Sequence, residues 1–255
     1  MTLRDWHVGR WNAMRWRVRF AFGGRERGWL RRHWKLSLLA AVLVTGAATF
    51  DAWLVTCGFA GCPSAAELQG YRPPEGGRVL DRNGRLIGRL HVVNRVNVPL
   101  SRIPMHVRQA FVATEDRRFR RHEGIDWHGV ARSVVRNVTS MRVREGFSTI
   151  TMQAARNAFL PERAALSRSL GRKLIELRLA RLMERHLTKD QILELYLNEI
   201  YLGNGVYGVD GASRDLFGKS VRDVSLVEGA VLAALAKGPS SYTPKRNPDR
   251  ARARR

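Results

Sequence analysis

Residues 113–126 read ATEDRRFRRHEGID, so two adjacent acids, Glu115 and Asp116, stand among four arginines and a histidine. Neighbours on a helix point about 100° apart, so the two carboxylates cannot both face one reacting atom. Glu115 follows Phe111 by one helical turn and so lies at the edge of an apolar face. Partial burial there suits a carboxyl that takes a proton from an attacking hydroxyl. Asp116 is then left to tie down a nearby Arg or His. A solvated ion-pair cluster is the alternative reading of the same charges.

Two further constellations have chemical potential. EGFSTITMQAARN, residues 145–157, clusters Ser148, Thr149, Thr151, Gln153, Arg156 and Asn157 where a helix begins. Hydroxyls at a helix N-terminus suit an anion such as phosphate, although an ordinary Ser/Thr cap gives the same pattern. In RKLIELRLARLME, residues 172–184, Arg172, Lys173 and Glu176 share one helix face by their three- and four-residue spacing. Such a trio is either an intrahelical ion pair or a grip on pyrophosphate in which the glutamate orients a substrate or holds a metal. Spacing alone does not separate the two.

The elements that must position these groups read as helix after helix. SRIPMHVRQAFVATED has Ser101 as a candidate cap, Pro104 in the first turn, and Val107, Ala110, Phe111 and Thr114 on one face. Further helices are expected over 127–138, near 148–158 and over about 167–186. TKDQ at 188–191 and SLVE at 225–228 are capping boxes opening two more, the second ending at Lys237-Gly238-Pro239. Before them all, Asn83-Gly84 between alternating apolar flanks signals a β-hairpin with both turn residues at positive φ. The tail KRNPDRARARR reads as unpacked.

Composition narrows the partners. The 255 residues carry a net charge of +23, with 44% hydrophobic and 26% charged residues, which fits a globular domain with an anionic partner. An apolar run from about Trp34 to Thr56 is long enough to span a bilayer as an uncleaved helix; Asp51 is its one acid, near the far end. Residues 1–35 hold ten Lys or Arg and two acids. That flank keeps the N-terminus cytoplasmic, against an anionic inner leaflet, and sends the main domain outside. A basic domain on that side excludes nucleic acid as its partner. Cys57 and Cys62 lie just past the span; they are free to pair in an oxidising compartment or to remain thiols, and nothing nearby suggests metal. The chain divides into a basic leader (1–33), an anchor (34–56), a linker (57–77), a catalytic domain (78–245) and a basic tail (246–255).

In order, EDRRFRRHEG, GFSTITMQ, RKLIELRLARLME, KDQILELYLN and GVDGASRDLFGK resemble the five signature blocks of the peptidoglycan glycosyltransferases of family 51. These occur as monofunctional transglycosylases and as the glycosyltransferase domain of class A penicillin-binding proteins. The resemblance covers about residues 75–245. It implies a mainly α, lysozyme-like domain of two lobes, the smaller one jaw-like against the membrane, with a small N-terminal β-hairpin and one transmembrane helix. The implied reaction is inverting polymerisation of lipid II onto the growing glycan strand, with release of undecaprenyl pyrophosphate. The chain contains no S-x-x-K triplet, so a monofunctional enzyme is expected, working alone or beside a separate transpeptidase in the bacterial inner membrane.

The resemblance also assigns roles. Glu115 is implied to be the general base and Glu176 the second essential glutamate, at the donor's pyrophosphate. Asp116, Phe119, Arg132, Ser148, Gln153, Arg156, Asn157, Arg172 and Lys173 are implied substrate contacts. A divalent cation (Mg or Mn) on Glu115 or Glu176 is allowed but not required. Phe147 departs from the family's small residue and is expected to narrow the cleft or alter the turn; Met152, Ala154, Gly211 and Leu216 also depart from the pattern. A glycan-cleaving lysozyme or lytic transglycosylase shares the fold and one glutamate, but lacks the paired glutamates and the Arg172–Lys173 cations. A scaffold that has lost activity is the nonenzymatic alternative.

Overall fold

The computed structural model describes residues 33–57, 61–90, 94–141, 146–160 and 169–254. The basic leader up to residue 32 and the start of the fourth expected helix lie outside them. The chain divides into two units, Met1–Trp53 and Leu54–Arg255.

Helix α1 (Trp34–Val55) has 22 residues and is long and apolar enough to cross a membrane. At 1.5 Å per residue it is about 33 Å long, against a hydrocarbon core of about 30 Å. Asp51 lies in its last turns, as expected.

In the second unit Cys57 and Cys62 form a disulfide, which settles the choice left open by the sequence. A short helix, α2 (Ala65–Gly70), follows in what reads as linker. Its Ser64–Glu67 capping box is the local signal for it. The hairpin pairs β1 (Gly77–Leu80) with β2 (Leu86–Leu90). Its turn departs from expectation. Gly84 is at φ +79°, whereas Asn83 is not among the positive-φ residues. The Asp81 carboxylate accepts the amides of Asn83 and Arg85, closing a longer turn than a two-residue one.

A second sheet escaped the sequence reading. Two-residue β3 (Asn94–Arg95) pairs in parallel with β5 (Val206–Tyr207), which pairs antiparallel with β4 (Tyr201–Gly203). It joins the start of the domain to a segment about 110 residues later. Gly211 is explained here, since a Cβ on it would lie 3.1 Å from Val206 and 3.2 Å from the Asn94 carbonyl oxygen.

In chain order the helices are α3 (Met105–Glu115), α4 (Trp127–Thr139), α5 (Ile150–Phe159), α6 (Leu170–His186), α7 (Lys189–Glu199), α8 (Val209–Phe217), α9 (Leu226–Lys237), α10 (Pro239–Tyr242) and α11 (Pro248–Arg254); α3 to α7 and α9 fall close to expectation, whereas α8, α10 and α11 were not anticipated. Both expected capping boxes are formed, at Thr188 and Ser225. Ser101 is not the cap of α3; it lies in a preceding 3-10 turn, and Pro104 takes the capping position. The tail is not unpacked either: α11 forms and Ala251 is buried.

The mainly α class holds, with one core running through the second unit. Phe111 of α3 meets Tyr196 of α7 edge to face at 6.2 Å, and Ile150, Met152, Ile192, Leu193, Leu197, Leu232 and Leu235 are fully buried. Met152 and Ala154 are therefore core residues, and their exchanges from the family pattern reach the cleft only through packing. Asn198 binds both the amide and the carbonyl of Val98, which pins α7 to the chain entering α3.

Candidate functional site

Glu115 is the last residue of α3 and lines two adjoining cavities, of about 570 and 150 Å³. The larger one is cationic. Arg117, Arg132, Arg136, Arg156 and Lys237 line it, and among its described lining residues Glu115 is the one acid. Gln153 Nε2 donates to Glu115 Oε2 at 3.0 Å, and Oε1 is buried without a partner. No cation of the described residues forms a salt bridge with Glu115.

Asp116 has a different environment. It caps α3 and is buried, with His122 Nε2 at 3.0 Å and the Ile150 amide donating at 3.1 Å to the same carboxylate. The negative end that favours a helix N-terminus is thus supplied at α5 by the protein itself. Thr149 caps the Met152 amide and donates its own hydroxyl proton to the Gly124 carbonyl at 2.6 Å. Of the two readings the sequence left open here, an anion site and an ordinary Ser/Thr cap, Thr149 forms the cap, and Asp116 binds the first amide of the helix. Thr151 is fully buried, donating to Glu184 at 2.6 Å.

Phe119, expected as a substrate contact, is fully buried, with Lys189 Nζ 4.5 Å from its ring centroid. Arg118 and Arg120 follow the ion-pair reading, bound to Asp126 at 3.3 Å and Asp190 at 2.7 Å.

Behind the groove lies the second glutamate. Glu176 has 0% exposure. Arg172 and Lys173 of its own helix grip it from both sides, Lys173 at 3.0 Å, and Arg156 approaches its Oε1 to 3.7 Å. Arg156 is three residues from Gln153 on α5, so one helix face reaches both glutamates. Lys173 Nζ also donates to Ser148 Oγ at 2.7 Å. Burial lowers the proton affinity of Lys173, Glu176 raises it again, and Arg156 and Arg172 lower it. Asn157 accepts from Arg156 Nε at 3.4 Å. Asn157, Arg172, Lys173 and Glu176 line neither cavity.

The described residues form no ready-made cage for a divalent cation; one or two carboxylates with substrate phosphates is the commoner arrangement for magnesium. Both oxygens of Glu176 are held by cations, Glu115 offers one carboxylate, and among the described residues no three His, Cys, Asp or Glu side chains converge.

Sequence reasoning missed four participants. Arg117, Arg136 and Lys237 line the groove. Lys237 was legible as a cation closing an apolar helix, but nothing in its spacing aimed it at Glu115. Tyr196 is fully buried and its hydroxyl has no partner; burial, and then the charge of Glu115, push its ionisation well above the ordinary tyrosine value.

Comparison with known proteins supplies independent findings. The family described as Transglycosylase matches residues 83–255. Penicillin-binding protein 1A of Aquifex aeolicus is 46% identical over 76% of this chain and 26% of its own length. Penicillin-binding protein 1F of Bacillus subtilis is 44% identical over 70% of this chain and 24% of its own. Penicillin-binding protein 1A of Neisseria gonorrhoeae is 43% identical over 75% and 24%. The chain thus spans about a quarter of the length of these curated relatives. A crystal structure of penicillin-binding protein 1A from Haemophilus influenzae matches 72% of this chain at 25% identity with a TM-score of 0.38, too low for the overlay to bear on the site.

Proposed function

The chain belongs to the transglycosylase family, and on that premise we propose that it is a peptidoglycan glycosyltransferase that polymerises lipid II, with Glu115 as general base. The observation that carries this reading is the contrast between the two glutamates. Glu176 has committed its oxygens to cations, whereas Glu115 is held by one neutral amide donor beside a groove lined by five cations.

In the proposed step Glu115 takes the proton of the acceptor's 4-hydroxyl as that oxygen attacks the anomeric carbon of the growing chain. A new carbon–oxygen bond forms on one face while the bond to the diphosphate oxygen breaks on the other. The bonding electron pair leaves with undecaprenyl pyrophosphate, and the configuration inverts to β-1,4. Arg117, Arg132, Arg136, Arg156 and Lys237 offset the charge of the departing diphosphate, a preorganised role of the kind that dominates many enzyme barriers. Gln153 orients Glu115. Glu176 acts as a positioning residue: it touches no substrate and fixes Arg156, Arg172 and Lys173. Asp116 supports the site by fixing the start of α5 and His122.

The same reading places α1 in the bacterial inner membrane, with the basic leader cytoplasmic and the catalytic unit outside. Lipid II and the glycan strand are then the substrates, bilayer lipids surround α1, and a transpeptidase is a fitting companion.

Incubating the full chain with lipid II, and separately with finished glycan, tests the proposal. Consumption of lipid II into polymer, lost in Glu115→Gln, is the expected result. Consumption of glycan instead would establish the cleaving alternative, and polymerisation retained in Glu115→Gln would remove Glu115 as base.

A further inference from the structure

Phe147 has no place in the chemistry above, and the structure shows what surrounds it. It is half-buried and lines the smaller cavity, on the wall that also carries Gly146, Ser148 and Thr149. Its ring lies under the Lys173 ammonium, with Nζ 4.9 Å from the centroid. The same nitrogen donates to Ser148 Oγ at 2.7 Å and to Glu176 Oε2 at 3.0 Å. A lysine ammonium has three donors on a flexible four-carbon stem, and here an acceptor, a carboxylate and a ring face surround it.

We propose that Phe147 is a positioning residue for the Lys173 ammonium, an aromatic seat that holds this cation behind Ser148, from where its charge acts on the diphosphate end of the donor without itself lining the groove. The inference rests on the glycosyltransferase reading of the same site. Ser148 ties the seat to the groove, because it lines both cavities while binding Lys173. Two hydrogen bonds alone leave the lysine free to swing about its stem on the side that faces the ring. The ring closes that side and attracts the charge through its quadrupole. Lys173 is also crowded by other cations, Arg172 on its own helix and Arg156 on α5, with Glu176 the one opposing charge among the described groups that act on it. A π face opposes that crowding without neutralising the site, so the positive charge stays available to a diphosphate.

Two measurements test this separately from the overall function. The first is spectroscopic and needs no activity. In the isotope-labelled chain, the Lys173 ε-methylene signal, assigned by its loss in Lys173→Arg, is expected at a ring-current-shifted upfield position. It should return to the ordinary lysine range in Phe147→Leu and move when inorganic pyrophosphate is added to wild type. The second is kinetic. Phe147→Leu, similar in bulk but without a π face, is expected to raise KM for lipid II by about 2- to 30-fold with kcat nearly unchanged. Phe147→Tyr and Phe147→Trp should restore it. An unshifted Lys173 signal in wild type overturns the proposal, as does a Phe147→Leu enzyme with wild-type KM or a Phe147→Tyr enzyme as impaired as Phe147→Leu. Wild-type protein that does not polymerise lipid II at all would defeat the function reading instead, and the spectroscopic arm would still decide whether the seat exists.

Discussion

Gln153 Nε2 lies 3.0 Å from Glu115 Oε2, and this is the one hydrogen bond found for that carboxylate among the described residues. A neutral amide fixes the orientation of an acid without contributing a full charge that would quench it as a base. Glu176, with Arg172 and Lys173 in contact and Arg156 at 3.7 Å, is in the opposite condition. The two glutamates that look equivalent in the sequence are therefore expected to fail in different ways when changed.

Glu115→Gln keeps the shape and the Gln153 contact but cannot accept a proton. Polymerisation should fall by about 10²- to 10⁴-fold, the usual contribution of general base catalysis. The melting temperature should stay within about 2 °C of wild type, since no charge pair is broken. A thermal melt beside the lipid II assay checks both.

Glu176→Gln should behave as a stability variant. It leaves Arg172, Lys173 and Arg156 facing one another around a fully buried neutral group. Removing one partner from a buried ion pair costs about 3–5 kcal/mol, because the remaining charge stays desolvated. Urea unfolding should register a loss of that order. An unfolding midpoint equal to wild type together with abolished turnover would restore Glu176 to direct contact with substrate.

The pH dependence should carry the mark of Lys173. Its proton affinity is held below the ordinary lysine value, first by burial and then by Arg156 and Arg172, with Glu176 opposing. The useful form is the cation, so activity is present at lower pH and declines as pH rises through that depressed value. The alkaline limb of kcat/KM should therefore fall below the usual lysine range. Lys173→Arg should push it upward, because a guanidinium stays charged throughout. A limb unmoved by Lys173→Arg would exclude Lys173 as its source.

A second buried ion pair holds the start of the domain to α7. Arg95 Nη2 binds Glu199 Oε2 at 2.6 Å, and the Tyr71 hydroxyl donates to Glu199 Oε1 at 2.7 Å. Burial raises the proton affinity of Glu199, with the Tyr71 hydrogen bond and Arg95 opposing it. Arg95→Ala should destabilise by about 3–5 kcal/mol. Tyr71→Phe should lose less, about 1.5–3 kcal/mol for one hydrogen bond to a charged group. Denaturant midpoints of the two variants give the order, and equal midpoints would contradict it.

Local chemistry was the legible part of the fold. Ser225 with Glu228 and Thr188 with Gln191 announced their helices because a cap and its reciprocal acceptor lie within four residues. The apolar run of α1 announced itself by length. The Arg95–Glu199–Tyr71 cluster and the β3–β5 pairing were hidden, since their partners lie more than 100 residues apart and no periodicity records such contacts. The site divided in the same way. Helical phase pointed Glu115 toward an apolar edge and put Arg172, Lys173 and Glu176 on one face. It could not show that Glu176 is wholly enclosed, that Asp116 occupies the start of α5, or that the Phe147 ring turns to Lys173. Those facts depend on how α5 packs against α6.

The most direct test of the central claim is lipid II turnover by the full chain, wild type against Glu115→Gln, with folding of both verified by thermal melt. Polymer formed by wild type and reduced at least about 100-fold in a folded Glu115→Gln is the expected result. Polymer formed by that variant at a rate within a few-fold of wild type would contradict it.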